Sequence, residues 1–412
     1  VEMRAFRHLL PIGVAQSRLL REARPIDRTE RVPLAAAIGR VAARTVRAPR
    51  PIPAFPRATW DGYAFRSADV ARASRASPVR LSIVGEVFAE GRFGRRVKAG
   101  ECVAIATGGR LPTGADSIEI FERVRRAGAN IVVNHPVAAG SRIADRGEDI
   151  ALGAQVVGAG EVLTPAAIGG IAAIGRDRAE VYARPVVTIV PNGNELLAPG
   201  EPWKDGGIYD CNNATLSAVI HATGGVPRSE LPVADDPRAI ERAIRSALRR
   251  SDLVLVTGGS SVGERDYLPQ ILPRVGRVLF RGIAVRPGKP TLAAVRGGKL
   301  VVAMPGHPTS CLSNAYWLLL PMLRRLARLP GPGWEEIRVK LAGSPDRPSP
   351  DLTTVVPLRL EGGLGYPTFH DSHAITSLSG VGAFAIVPPG GAPLRRGSIV
   401  GAHRLLPPLG PA

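Results

Sequence analysis

The sequence predicts a multidomain α/β plus β fold, and three observations carry that prediction. Between residues 78 and 140, apolar and polar residues alternate in VRLSIVGEVF, ECVAIATGG, SIEIFERV and NIVVNHPV, with turn residues between the segments. That period of two belongs to half-buried strands. From 186 to about 328, short aliphatic runs such as VVTIV and LVLVT alternate with segments of helical spacing. This is the signature of a parallel sheet with right-handed crossovers. Short strand-like runs return from 337 to 405. A chain of 412 residues is long enough for about two to four domains with full cores.

Taken in order, residues 3–23 carry apolar positions at Leu9, Leu10, Ile12, Val14, Leu19 and Leu20, which predicts a helix. The alanine-rich run Val32 to Arg44 predicts a second, short helix. Pro49, Pro51, Pro53 and Pro56 then impose a rigid extended connector. After the strand-rich stretch, Thr164 and Pro165 open a helix over 164–174 as N-cap and first turn. A helix over about 213–223 ends at Gly224 and Gly225. Asp236–Pro237 starts another, and strand LVLVT follows it directly. A last helix is expected over 309–328, with LPGPGW (329–334) as the linker to the final strands.

Composition limits the function classes. The formal net charge of +19 favours anionic partners. The basic residues are spread along the chain and aromatics are only 5%, which argues against nucleic acid. No apolar run reaches the roughly 18 residues needed to span a bilayer, so no membrane role is expected. The N-terminal residues show no secretion-type cleavage pattern. Cys102, Cys211 and Cys311 are scattered without metal-binding spacing, so a reduced, cytoplasmic setting is expected.

Three loops hold the densest chemistry. LVLVTGGSSVGERD (253–266) runs from a strand through a glycine–serine turn toward a helix, where backbone amides and hydroxyls donate to a bound anion. By itself such a turn is as compatible with a plain tight turn. RPGKP (286–290) and MPGHPTS (304–310) place two more Pro-Gly turns beside strand ends. Together they suggest one ligand-binding edge of an open α/β sheet. Lys289 and Arg286 are the candidate cations for phosphate or oxyanion. Ser310 is expected at a helix opening, where it either holds an oxyanion or, like Thr309, simply caps the helix. His307 is read as wall, His370 and His373 as no metal pair, and Trp60 as a packing residue.

The order of the motifs resembles the molybdopterin molybdenumtransferase family, which includes the E domain of gephyrin. WDGYAFR (60–66), IATGGRLPTGAD (105–116), RGEDI (146–150), NGNEL (192–196), GGIYDCNN (206–213), GGSSVGERDY (258–267), RPGKP, PGHPTS and DSHAITSLSGVGAFAIVP (371–388) each match a family segment in sequence. The resemblance implies a domain plan: an N-terminal helix (1–22) packing on the α/β domain; a discontinuous elongated domain (23–50 and 141–178); an inserted β-domain (51–140); a molybdopterin-binding α/β sheet domain (179–329); and a C-terminal β-domain (330–412). It implies a homodimer, with the site formed between the α/β domain of one subunit and the elongated part of the other. Adenylylated molybdopterin and molybdate are the implied substrates, molybdenum cofactor and AMP the products, and Mg2+ the assisting ion. Transient contact with molybdoenzymes or with the adenylylating protein is implied as well.

The residues carried over by this resemblance are Asp61, Glu195, Asp235, Asp266 and Lys289 for catalysis. Glu148, Asp149 and Asp266 follow for metal. Gly258, Gly259, Ser260 and Ser261 are carried over for the pterin phosphate, with Arg286, Pro305, Gly306 and Ser310 beside them. Each carboxylate is also compatible with a cap, a turn or a solvated charge. Asp236 illustrates this, because it precedes Pro237 and reads as a helix cap, leaving Asp235 the freer neighbour. Three departures stand out. FPRATWDGYA lacks the polar residues that usually precede the aspartate; Asn194 replaces the acid of TGDEL; and LTTVVPL (352–358) lacks the arginine of the family's EFxRV strand. The insertase, a non-catalytic pterin carrier or scaffold, and a hydrolase of another pyrophosphate nucleotide are therefore the three functions to separate.

Overall fold

The structure is a computed structural model that describes residues 8–258, 267–369 and 371–407. The chain divides into two compact units, one made of Val1–Glu30, Gly39–Val41 and Val181–Ala412, the other of Arg31–Ile38 and Ala42–Glu180.

The larger unit is built on a six-stranded sheet of β1 (Val186–Pro191), β2 (Val226–Ser229), β3 (Leu253–Thr257), β4 (Arg277–Arg281), β5 (Leu292–Arg296) and β6 (Lys299–Met304), in the order β2-β1-β3-β6-β5-β4. The first four in that order are parallel, whereas β5 and β4 join antiparallel. The sheet is thus mixed rather than parallel throughout, because β5 and β6 are joined by the tight Gly297–Gly298 turn instead of a crossover helix. β3 is buried along its whole length, the near-continuous apolar run of a strand covered on both faces.

Helices α1 (Ile12–Glu22), α2 (Cys211–Ala222), α3 (Pro237–Arg250) and α4 (Leu268–Val275) cover the sheet. Ala15 and Leu19 of α1 pack with Val187, Ile189 and Leu253 in one core, while Ile240 and Ile244 of α3 join Val190, Val254 and Val256 in another. α2 begins two residues earlier than the spacing suggested, because Asp210 accepts from Asn213 N at 3.0 Å and caps it. α3 starts at Pro237, where Asp236 accepts from Ala239 N at 2.7 Å as expected.

The expected 309–328 helix runs as Pro308–Asn314, a wider turn over Ala315–Leu319, and Leu320–Leu326. Pro321 explains the widening, since it has no N–H to return to the Trp317 carbonyl. Gln16 Nε2 from α1 takes that carbonyl at 2.8 Å. Beyond it, the strands Trp334–Leu341, Thr353–Glu361, Leu364–Pro367, Ala383–Val387 and Ile399–Leu405 close into a ring. Its edge is extended by Val285–Arg286, which pairs parallel with Thr353–Thr354.

In the smaller unit, the alternating segments form a second six-stranded sheet, ordered Ser117–Ile120, Gly62–Phe65, Glu101–Ile105, Val79–Val87, Asn130–Val133 and Arg125–Ala127. Two short ribbons, Val46–Arg47 with Gln155–Val157 and Arg57–Ala58 with Ile143–Ala144, accompany it. The helix Pro165–Ala173 is capped by Thr164 Oγ1, which accepts from Ala167 N at 3.2 Å. No second helix forms over Val32–Arg44. The segment is a strand ending at Pro33, one tight turn over Leu34–Ala36 and a left-handed Gly39. Its later backbone groups bond to other segments instead of to a helical ladder: Ala42 N donates to the Glu161 carbonyl at 2.8 Å, Ala43 N to the Glu180 carbonyl at 2.9 Å, and the Val41 carbonyl accepts from Tyr182 N at 3.0 Å.

Candidate active site

At the C-terminal ends of β1, β3 and β6 the larger unit opens a cleft of about 1040 Å³. Open α/β sheets bind ligands at this edge. Asn192–Gly193 continue β1 into the NGNEL loop, Gly258 ends β3, and Pro305–Gly306 follow β6. The RPGKP loop and the C-terminal segment around Asp371–His373 supply the remaining walls.

Close backbone approach forms the floor. Gly258 has φ +84°, and a side chain there would place Cβ 2.1 Å from the Asn192 carbonyl oxygen. Gly288 has φ +108° and lies against Asn314, whose side chain a Cβ would meet at 2.3 Å. Asn314 is fully buried and donates Nδ2 to the Gly288 carbonyl and to Thr291 Oγ1, each at 2.8 Å. The Lys289 carbonyl accepts from Ile283 N and Thr291 N at 3.0 and 2.9 Å. The backbone beneath Lys289 is therefore fixed, while its ammonium forms no ion pair among the described residues and lines the cleft. Arg286 lines it too, with Asp346 3.8 Å away.

The structure brings Glu195, Asp235, Lys289, Gly258, Arg286, Pro305, Gly306 and Ser310 to this one cleft. Asp235 is not free: it accepts from Asn192 Nδ2 at 3.0 Å and from Asn194 N at 3.4 Å, while its own N–H donates to Asn194 Oδ1 at 3.1 Å. The Glu195 carbonyl accepts from Ile208 N at 2.8 Å, while its carboxylate folds over Gly193 and makes no hydrogen bond among the described residues. Ser310 is the third residue of its helix and 4% exposed. Neither it nor Thr309 caps that helix, because Thr309 Oγ1 donates to the Ala374 carbonyl at 2.7 Å and His307 holds the N-cap position. His307 does form wall, 3.0 Å from Ser372 Oγ.

Asp61, Glu148 and Asp149 belong to the other unit. Asp61 accepts from Thr107 N and Oγ1 at 2.7 and 2.9 Å, and these bonds hold its carboxyl below the usual range. Glu148 accepts from Asp145 N at 2.7 Å in a turn, and Asp149 is exposed. Trp60 is 62% exposed, which corrects its reading as a packing residue. Gly259, Ser260, Ser261, Asp266 and His370 lie outside the described residues. His373 pairs with Asp371 at 3.1 Å.

Sequence reasoning missed Asn192, Asp210, Asn212 and Asp371–His373 as cleft residues. IYDCNN and DSHAIT stood out as segments, but a helix-capping Asp and a loop Ser carry no separate signal of a cleft. The strand Thr353–Glu361 carries one arginine, Arg359, which pairs with Glu361 at 3.4 Å and stacks over Tyr366, away from the cleft lining.

Two cations on the RPGKP loop, a glycine-walled sheet edge and the acids Glu195, Asp210, Asp235 and Asp371 define an α/β protein with a polar cleft at the C-terminal edge of its sheet. The comparisons narrow this class. A model described as "MoeA N-terminal region (domain I and II)" matches residues 10–175, and one described as "Probable molybdopterin binding domain" matches 188–325. Relatives named molybdopterin molybdenumtransferase include that of Nostoc sp., 31% identical over 76% of this chain and 72% of its own. The Bacillus subtilis relative is 30% identical over 88% of this chain and 86% of its own. A crystal structure of a molybdopterin biosynthesis MoeA protein from Pyrococcus horikoshii superposes with TM-score 0.82, at 28% identity over 96% of this chain and all of that one. A second MoeA structure, also from Pyrococcus, reaches TM-score 0.84 at 32% identity. The chain belongs to the molybdopterin molybdenumtransferase family.

Proposed function

We propose that this chain inserts molybdenum from molybdate into adenylylated molybdopterin, releasing AMP. The observation that carries the reading is the cleft itself, where Arg286 and Lys289 share one cavity with Glu195 and Asp235. Both substrates are anions, and breaking the adenylyl phosphoanhydride requires neutralisation of charge on phosphate oxygens and an oriented oxygen nucleophile. Lys289, on a fixed backbone, offers a point charge; Arg286 offers a planar fork suited to paired oxygens.

Mg2+ fits the donor set in a particular way. No group of three His, Cys, Asp or Glu side chains poised for a metal occurs among the described residues. Mg2+ instead takes one or two carboxylates together with substrate phosphates and water. Glu195, unengaged in the cleft, would hold it, with Asp235 beside it, and Glu148, Asp149 and Asp266 complete the proposed acidic set. The ion would supply charge neutralisation on the phosphates.

We read the active form as a homodimer that completes the site with Asp61 and its neighbours, in contact at times with the adenylylating protein or a molybdoenzyme. The setting is read as cytoplasmic; the three cysteines are free, and among the described residues no helix is long and apolar enough to cross a membrane. A carrier or scaffold is the second reading, favoured by Asn194 in place of an acid and by LTTVVPL (352–358) carrying no arginine.

A single-turnover reaction with adenylylated molybdopterin, Mg2+ and molybdate separates them. Molybdate-dependent AMP release with formation of metal-loaded cofactor is expected. Tight pterin binding without AMP release would instead establish the carrier.

A further inference from the structure

Among the described residues, three acceptors in the cleft have nothing to accept from. Asn192, Asp210 and Asn212 are only 3%, 4% and 8% exposed, and all three line the cavity. Asn192 Oδ1, Asp210 Oδ2 and Asn212 Oδ1 each lack a hydrogen-bond partner among the described residues. The partnered atoms fix which ends are orphaned. Asn192 Nδ2 donates to Asp235 Oδ1 at 3.0 Å, and Asn212 Nδ2 to the Gly306 carbonyl at 2.7 Å. Flipping either amide would set oxygen against oxygen. Asp210 Oδ1 is taken by Asn213 N at 3.0 Å.

A buried acceptor without a donor is destabilising, and native structures rarely collect them. Three acceptors in one cavity complement a ligand edge rich in N–H groups. They do not suit phosphate, which is itself an acceptor and is served by Arg286 and Lys289. Nor do they suit a divalent cation well, since two of the three are neutral amides. Burial raises the Asp210 carboxyl above its ordinary value, against hydrogen bonds from the Asn213 and Asn212 amides that lower it.

We propose that Asn192, Asp210 and Asn212 seat the amino-pyrimidinone edge of the pterin, accepting from its 2-amino group and ring N3–H. The assignment rests on the molybdopterin reading above and adds an orientation to it, with the pterin base at the acceptor end and the phosphates at the Arg286–Lys289 end.

Asp210 also caps α2, so the test uses variants that keep the cap. Asp210→Asn retains a capping oxygen and replaces the second by a donor; Asp210→Ser retains the cap and deletes the second oxygen. Binding to the full-length protein is read from the fluorescence of 6-hydroxymethylpterin, beside 6-hydroxymethyllumazine, in which a carbonyl replaces the 2-amino group. The wild type is expected to prefer the pterin by about tenfold or more, a difference of about 1.4 kcal/mol. Both variants should lose that preference at unchanged melting temperature. Equal binding of the two bases by the wild type, or undiminished pterin binding by the variants, would overturn the seat. So would a loss of Mg2+ affinity in place of pterin affinity. Molybdate-dependent AMP release by the wild type alongside any of these results means that the seat alone is wrong. Absence of both turnover and pterin binding overturns the functional reading with it.

Discussion

Asn194 stands where the family's pattern carries an acid, and its bonds show what the exchange preserves. Its Oδ1 accepts from Asp235 N and its own N–H faces Asp235 Oδ2, so the loop is closed as a carboxylate would close it. What is lost is one negative charge beside Asp235, which leaves Glu195 the freer acid of the cleft. A different carboxylate supports the scaffold. Asp252 meets Arg28 through two bonds of 2.8 Å and accepts from Val186 N at 2.8 Å, at the start of β1. Burial alone would raise its pKa, but the Arg28 bonds and the Val186 amide outweigh burial and hold it below the usual range. A depressed folded-state pKa means stability that is complete above the ordinary carboxylate range and disappears as pH falls through the folded value. Asp252→Asn should therefore cost about 1–2 kcal/mol near neutral pH. It should also flatten the acid limb of a melting-temperature profile below about pH 4. An unchanged acid limb would show that the pair contributes nothing to folding.

The long helix behind the cleft turns on the chemistry of single residues. Pro321 deprives the Trp317 carbonyl of its helical partner, and Gln16 of α1 supplies the replacement from 301 residues away. Gln16→Ala should leave that carbonyl unpaired and lower stability by about 1 kcal/mol, measured by urea denaturation. Gln16→Glu, which has no amide hydrogen to give, should do at least as much harm. The same element marks the boundary of what could be read from sequence. Local chemistry was legible: Thr164–Pro165 and Asp236–Pro237 open helices as expected, because a cap and a first-turn proline act on their own neighbours. The widened turn was not, since its cause joins Pro321 to a side chain on another helix. The antiparallel β4–β5 edge was hidden because strand-and-helix alternation says nothing of a strand returning through Gly297–Gly298. Val32–Arg44 misled because alanine content favours a helix, while burial, which decides short helices, depends on tertiary partners. In the site, Lys289, Arg286 and Glu195 were legible as charges on loops. Asp210 was not, since in sequence it is only a helix cap, and its second oxygen acquires meaning from the cavity beside it.

At the scale of the whole molecule, a chain of net charge +19 carries a cleft whose two proposed substrates are both anions. Distributed charge of this kind acts on encounter: it raises local anion concentration and association rate, and salt removes the effect. A cation inside the cleft acts on the bound state, where screening is weaker. The two contributions separate in one experiment. Raising ionic strength from about 0.05 to 0.5 M shortens the Debye length from roughly 14 to 4 Å. The second-order rate of binding adenylylated molybdopterin should then fall severalfold, while the single-turnover rate at saturation stays nearly constant. Lys289→Ala should behave differently, because it removes one of 54 lysines and arginines but one that lines the site. Its association rate at low salt should remain close to wild type, while dissociation accelerates and the loss of affinity persists in high salt. If Lys289→Ala instead lost its defect entirely at high salt, the lysine would act only as part of the general positive field, and Arg286 would be left as the cation that holds the bound anion.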